Sequence, residues 1–549
     1  MKKQPFPSLL RPIFFCLLLT SLWQCANPIA PTGGPRDEEP PKVDSIKSDA
    51  NYQTNYYPES IELTFNEWVK LNSPNQQIII SPPFRGYTTR LKGKTLILDL
   101  GDKDTLRSDV TYVIQFGEAV QDLTESNPTE DLRFIFSTGD YIDSLELSGQ
   151  VIDAYNSEPA EDVLVLLYDN LVDTAFRTER PFYFGRTDEE GMFLISNLKS
   201  GTYRLMALKD ADANYMYSQQ TEPIAFFTEP IQITADSVPS VELRLFQEEI
   251  PLKLNEVDSS RFGLLKLVFN GPINQRLEQQ STAIYQQKEA ADSLLIWHQE
   301  AQGWTLYLSS DTLYYDTLTV PAAPIEQALE QLDTLKVKLA RGTPQQLYHR
   351  RPVRLSFSRP VAQLDSSKMS LLLDTFPERL SFELLPDSLM ADQVNLQFSA
   401  KENSPYQLFM YPGAVTDKWG IANRDTLMIE WRTSELKRFG NLNLTFTAPS
   451  AETNYFVRLL IEGKTPNAVF TLNGQTTYEK QFTGLAPGDY VLEIIEDTNT
   501  NARWDSGSYD ALRQPERVLI RPIESLRANW DVEASIDLEN FITKTNLNN

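Results

Sequence analysis

Two Asp/Asn-rich stretches carry the side chains best suited to chemistry in this sequence. The first is Asp210-Ala-Asp-Ala-Asn214 and the second is Asp497-Thr-Asn-Thr-Asn-Ala-Arg-Trp-Asp505. Oxygen ligands at alternate positions let a tight loop wrap a hard cation. Asp497, Asn499, Asn501 and Asp505 have the spacing of the first, third, fifth and ninth ligands of a calcium loop. They are candidate ligands for a weak, structural calcium ion. Two departures stand against this: Ala502 replaces the glycine of the sharp turn, and Ser508 sits where a bidentate Glu would close the site. The first stretch also ends early. The alternative is that these side chains cap their own backbone in Asx-turns.

Other chemistry is poorly served. The two histidines, His298 and His349, have no recognisable nucleophile motif nearby. The sequence contains no Gly-x-Ser-x-Gly, P-loop, His-Glu-x-x-His or dinucleotide glycine pattern. Paired carboxylates are common in so acidic a chain and discriminate nothing. No catalytic residues are expected, and the protein is not expected to be an enzyme. The net charge of −25 repels phosphate backbones, so nucleic acid is not an expected partner.

The elements that position these loops read as strands. Val, Ile, Thr, Tyr and Phe are abundant, and a chain of 549 residues is too long for one core. One signature occurs three times: Ile61-Glu-Leu-Thr-Phe-Asn-Glu-Trp-Val69, Leu265-Lys-Leu-Val-Phe-Asn-Gly-Pro-Ile273 and Val353-Arg-Leu-Ser-Phe-Ser-Arg-Pro-Val361. Each alternates up to a Phe and then kinks, as an edge strand or one changing sheets would. A second signature pairs Thr111-Tyr-Val-Ile-Gln-Phe-Gly-Glu-Ala-Val-Gln-Asp122 with Leu132-Arg-Phe-Ile-Phe-Ser-Thr-Gly139. Its other copy pairs Tyr406-Gln-Leu-Phe-Met-Tyr-Pro-Gly-Ala-Val-Thr-Asp417 with Leu427-Met-Ile-Glu-Trp-Arg-Thr433. Each predicts a hairpin with a long Asp/Asn-rich connection. This plan resembles the surface-layer type of bacterial Ig-like domain.

A third signature is Leu198-Lys-Ser-Gly-Thr-Tyr203, with Leu485-Ala-Pro-Gly-Asp-Tyr490 as its second copy. Its glycine is expected to supply the positive φ of a tight hairpin. With its flanking strands it resembles the carboxypeptidase-regulatory, transthyretin-like sandwich, the noncatalytic module of those enzymes. The resemblance covers 145–247 well and 434–538 in part. Gln275 through Leu295 and Ala322 through Leu332 are expected as short surface helices. Trp504 and Trp530 are expected to pack together and close the last sandwich, and Ile542 to Asn549 to fray.

The amino terminus reads as an address. Lys2, Lys3 and Arg11 precede a short apolar run ending at Cys25. That run is too short to span a bilayer and reads as a secretory signal. Leu22 and Cys25 resemble a lipobox, in which the cysteine thiol receives diacylglycerol; ordinary cleavage near Ala26 or Ala30 is the alternative. The other cysteine, Cys16, falls in the segment to be discarded, so the mature chain has no intramolecular disulfide. Residues 25–43, dense in Pro and Gly, form an extended tether. The run from Cys25 through Pro-Thr-Gly-Gly-Pro35 to Val43 resembles the start of a family of Bacteroidota lipoproteins with bacterial Ig-like domains.

The expected plan is all-β, with tandem β-sandwiches. It comprises a lipoprotein signal peptide (1–24), the tether (25–43), an Ig-like domain (44–140) and a transthyretin-like sandwich (141–248). A divergent Ig-like domain (249–345), a second Ig-like domain (346–434) and a C-terminal transthyretin-like sandwich (435–549) follow. The expected function is a non-catalytic envelope scaffold, structural or protein-binding. Its expected location is the outer membrane, anchored through lipid at Cys25, with other envelope proteins as partners. The rivals are a glycan- or substrate-binding lipoprotein and an accessory subunit of outer-membrane protein assembly or secretion machinery. Asp37, Glu38 and Glu39 leave surface export open, and the face of the membrane is undecided.

Overall fold

The computed structural model describes residues 37–539, apart from 84–86, 101–105, 236–239, 262, 272, 274–277, 280–283, 289–291, 299–301, 311–313, 321–333, 341–346, 374–375, 388–389 and 464. Cys25, the signal segment, most of the tether, the helix expected at 322–332 and the tail 542–549 lie outside the described residues. The protein is a chain of β-sandwiches. It divides into two compact units, Met1–Ser144 and Leu145–Asn549.

In the first unit the kink after Phe65 is a change of sheet. Ser60–Thr64 pairs with Thr95–Asp99, whereas Val69–Leu71 pairs with Val120–Asp122. Alternation buries Ile61 and Leu63 and exposes Glu62 between them. The polar pair Asn66-Glu67 then breaks the ladder, so the chain can turn the corner. Thr111–Gln115 and Arg133–Ser137 form the expected hairpin. Phe134, Phe136, Tyr112 and Ile114 are buried, with the Tyr112 and Phe134 rings against Phe136. Each such side chain contributes ~1.5–3 kcal/mol on full burial.

The second unit repeats this corner. Val353–Phe357 pairs with Gln393–Phe398, and after Ser358-Arg359-Pro360 the strand Val361–Leu364 pairs instead with Val415–Asp417. Pro405–Met410 and Leu427–Arg432 form the matching hairpin. Residues 145–245 and 440–537 share a different topology. In the first, Leu145–Asp153 lies between an antiparallel neighbour, Met192–Leu198, and a parallel one, Ser240–Leu245. In the second, Gly440–Thr447 lies between antiparallel Thr477–Leu485 and parallel Asp531–Asp537.

Two expectations are corrected. Where a helix was expected over Gln275 through Leu295, the described residues form strands: Glu278–Gln279, Ile284–Lys288 and the start of Ser293–His298. Ile284–Lys288 is an edge strand on Ser293–His298. An edge strand pairs on one side only, so the polar run Gln286-Gln287-Lys288 suits it. The Gly201 corner is not a tight hairpin either. Met192–Leu198 and Gly201–Leu208 lie in different sheets, and Gly201 has no positive φ.

Glycine at 201 answers to a close approach. A Cβ there would meet the Tyr203 ring at 3.1–3.2 Å. That ring folds back so that its hydroxyl donates to the Lys199 carbonyl at 2.8 Å. Tyr490 donates to the Ala486 carbonyl at the same distance in the second copy. In both, a buried tyrosine pins the crossover from one sheet to the other.

Candidate functional site

The two Asp/Asn stretches occupy equivalent connections. Residues 209–223 join Gly201–Leu208 to Ile224–Phe226, and residues 497–517 join Tyr490–Glu496 to Val518–Pro522. Their backbones take the same path. Asp210 Oδ2 accepts from the Tyr215 amide at 2.8 Å, and Asp497 Oδ2 accepts from the Ala502 amide at 2.8 Å. The Asn214 and Asn501 side chains accept from the amides two residues on, Met216 and Arg503. Ala213 and Tyr215 have φ of 58° and 65°, and Thr500 and Ala502 have 60° and 58°. The position expected to need glycine thus tolerates Ala502 in a left-handed turn that the Asp497 carboxylate braces.

Each loop is closed by a glutamate that spacing did not reveal. Glu222, fully buried, accepts from the Ala211 amide at 3.1 Å and from the Ser218 and Gln219 amides. Glu516 accepts from the Thr498 amide at 2.7 Å and the Asp505 amide at 3.0 Å. Each lies two residues before the next strand, which is the one sequence signal that links them. Ser508, where a closing Glu would be expected by count, instead exchanges backbone hydrogen bonds with Arg513.

In the first loop, oxygens of Asp210, Asp212 and Glu222 all lie within 4.8 Å of one another. Burial, opposed by amide hydrogen bonds, raises the Asp210 carboxyl above its ordinary range. In the second loop, Asp505 Oδ2 accepts from the Asn499 amide group at 2.5 Å and from that of Asn501 at 2.7 Å. Asp505 Oδ1 pairs with Arg503 at 2.8 Å. The structure therefore brings Asp497, Asn499, Asn501 and Asp505 together, with amide nitrogens as well as oxygens facing Asp505. The carboxylate-rich first loop has the donor set better suited to a hard cation.

Between these loops the residues around 145–248 and 435–538 form a shared polar and aromatic seam. Tyr155 donates to Glu493, which also pairs with Arg458, and Arg458 in turn reaches the Tyr155 oxygen. Burial first, and then this carboxylate, raise the Tyr155 phenol far above its ordinary value. Trp504 packs edge-on against Tyr155, at 5.1 Å, and donates to the Glu516 carbonyl. The expectation that Trp504 packs with Trp530 to close the last sandwich is corrected: Trp504 sits against Tyr155 instead. Trp530 is half exposed, with Arg527 above its ring at 5.1 Å. His298 is buried against Trp304, and the His349 ring lies against Tyr348.

The fold and these loops define a class: a multi-domain, all-β protein of tandem sandwiches with an Ig-like domain. Residues 37–138 match the family described as the bacterial Ig-like domain. No curated protein matches the chain. Among solved structures, the Bacillus anthracis TIE protein is 10% identical, with a TM-score of 0.14, over 97% of this chain and 79% of that one. BcpA, the major pilin subunit of Bacillus cereus, is 11% identical, with a TM-score of 0.13, over 71% of this chain and 99% of that one. The S-layer protein rSbsC is 12% identical, with a TM-score of 0.13, over 88% and 66%. At these TM-scores the molecules do not superpose as wholes.

Proposed function

We propose that the protein is a non-catalytic lipoprotein of the cell envelope, held at the outer membrane by diacylglycerol on Cys25. There it serves as a structural or protein-interaction scaffold. The observation that supports this reading is the use of its buried polar groups. Tyr155, Arg458, Glu493, Glu248 and Tyr509 join one sandwich to another. A body braced in this way suits the presentation of surfaces at fixed spacing. In the same reading, 145–248 and 435–538 are transthyretin-like, supported by their shared strand order with one parallel neighbour.

The test is metabolic labelling with a palmitate analogue, membrane fractionation and crosslinking in the native cell. Label on the wild type, its loss in Cys25→Ala, and recovery of crosslinked envelope proteins are the expected outcome. An unlabelled protein, or one found only free and monomeric, would refute the reading. Protease shaving of intact cells separates the two membrane faces.

A second, structural element of the proposal is calcium in the paired loops. The convergence of Asp210, Asp212 and Glu222 supports it for the first loop, and Asp497, Asn499, Asn501 and Asp505 are the counterpart in the second. Calcium is expected to raise the melting temperature of the wild type and to do so less in Asp212→Asn. The same melting curve in calcium and in chelator would discard it.

A further inference from the structure

We infer that residues 506–514 form a strap that makes the 145–248 and 435–538 sandwiches one cooperatively unfolding body, with Tyr509 as its anchor. The two equivalent connections supply the contrast. Residues 209–223 go from Ser218 almost directly to the closing Glu222, whereas an additional run separates Asp505 from the closing Glu516. The shorter connection shows that the 435–538 sandwich does not need this run to join its own strands.

The run is docked on the other sandwich instead. Tyr509 is 3% exposed. Its ring meets Phe176 at 5.4 Å and Phe226 at 5.3 Å, edge-on in both cases. Its hydroxyl donates to the Asp173 carbonyl at 2.7 Å, and its amide donates to Glu248 at 2.7 Å. Glu248 also accepts from Tyr217, whose ring stacks on Phe176. A buried aromatic ring with both polar ends satisfied is the usual anchor of a stable interface. At one end of the strap, Ser506 donates to the Gln247 carbonyl, and the Gly507 backbone passes so close to Phe246 that a Cβ would sit 2.4 Å from its ring. At the other end, Gln514 donates to the Phe226 carbonyl at 2.8 Å. Between them, Ser508 and Arg513 pair through their backbones, so the strap holds its own shape.

The consequence is thermodynamic. Ile224–Phe226 is a short strand at the border of its sheet, paired with Gly201–Leu208. Tyr509 and Gln514 cover it from the far end of the chain. Opening of the 145–248 sandwich therefore requires the strap to leave, and the two bodies share one unfolding transition.

Native-state hydrogen exchange on the full mature chain tests this, with Tyr509→Ala, Tyr509→Phe and Asp510→Ala. In Tyr509→Ala, amides of 173–178 and 224–226 should exchange at least a hundredfold faster, and a separate early unfolding transition should appear. Tyr509→Phe keeps the ring and should give an increase of between about threefold and tenfold. Asp510, half of an exposed ion pair with Arg177, should change exchange less than threefold. If Tyr509→Ala fails to fold, the Tyr509→Phe increase, appearing in both sandwiches at once, decides the matter. Exchange in 145–248 that stays within threefold of wild type in folded Tyr509→Ala, or in Tyr509→Phe where Tyr509→Ala does not fold, overturns the inference.

Discussion

Replacing Arg359 by Met should open the corner where the strand changes sheets. Arg359 and Asp417 are 1% and 0% exposed and paired at 2.7 Å. Asp417 also accepts from the amides of Trp419, at 3.0 Å, and Ile421, at 2.8 Å. Removing the guanidinium leaves a carboxylate sealed from water with two backbone donors. Breaking a buried pair in this way costs about 3–5 kcal/mol. At 1.36 kcal/mol per tenfold, exchange of amides in Val361–Leu364 and Val415–Asp417 should accelerate by between about a hundredfold and several thousandfold. Adding Asp417→Asn removes the stranded charge while keeping an acceptor for the two amides, and should recover most of the loss. The first unit supplies an internal precedent. There Glu67 stands at the place of Arg359, and Asp122 at that of Asp417. Asp122 is satisfied by four backbone amides, those of Thr124, Glu125, Ser126 and Asn127. An increase below tenfold in Arg359→Met, or a double variant no better than the single, would show that the pair does not hold the corner.

The Asp122 carboxyl predicts an acid limit for the first unit. Burial alone would raise it, but the four amides outweigh burial and hold it below the ordinary carboxylate range. Its stabilisation is therefore present above the unfolded carboxyl value and lost as pH falls through the lower folded one. Asp122→Asn should cost on the order of 1–3 kcal/mol at neutral pH and flatten the acid dependence of exchange in Thr111–Gln115; an unchanged slope refutes the assignment. Tyr490 at its corner predicts an alkaline limit for the second unit. Burial pushes Tyr490 up to about 12. Stability tied to its neutral phenol is complete below the unfolded value near 10 and lost as pH rises through about 12. Phenolate absorbance should show a late component, coincident with loss of structure, that is smaller by one tyrosine in Tyr490→Phe, since other buried phenols such as Tyr155 titrate late as well. That variant should also cost about 1 kcal/mol at neutral pH, as should Tyr203→Phe in the other copy, and a large difference between them would refute equivalent roles.

Strands were legible wherever one face is buried and the other wet. Leu264–Phe269 buries every second residue, and the break after Phe357 marks the true change of sheet. The signal failed at Ile284–Lys288, where an edge strand carries polar residues and no clean alternation. It failed differently at Gly201, where a glycine that admits a folded-back tyrosine ring reads like one that admits a positive φ. Half of each Asp/Asn loop was visible, because its first ligands follow a fixed spacing. The closing Glu222 and Glu516 were not, because the residues between carry no period. The seam was invisible: Tyr155 and Glu493 are 338 residues apart, and alone one reads as an ordinary turn residue and the other as an ordinary strand residue.

The seat of the strap is made long before its occupant. Arg177, beside the ring of Phe176, and Asp510, beside Tyr509, are 333 residues apart. At roughly 5–20 residues per second, a ribosome needs about twenty seconds to a minute to cover that distance. For most of that interval Phe176, joined by Phe226 and Phe246 once they are made, waits without its lid, an aromatic patch on a nascent sandwich. A chain interrupted in its last sandwich would keep that patch bare for good.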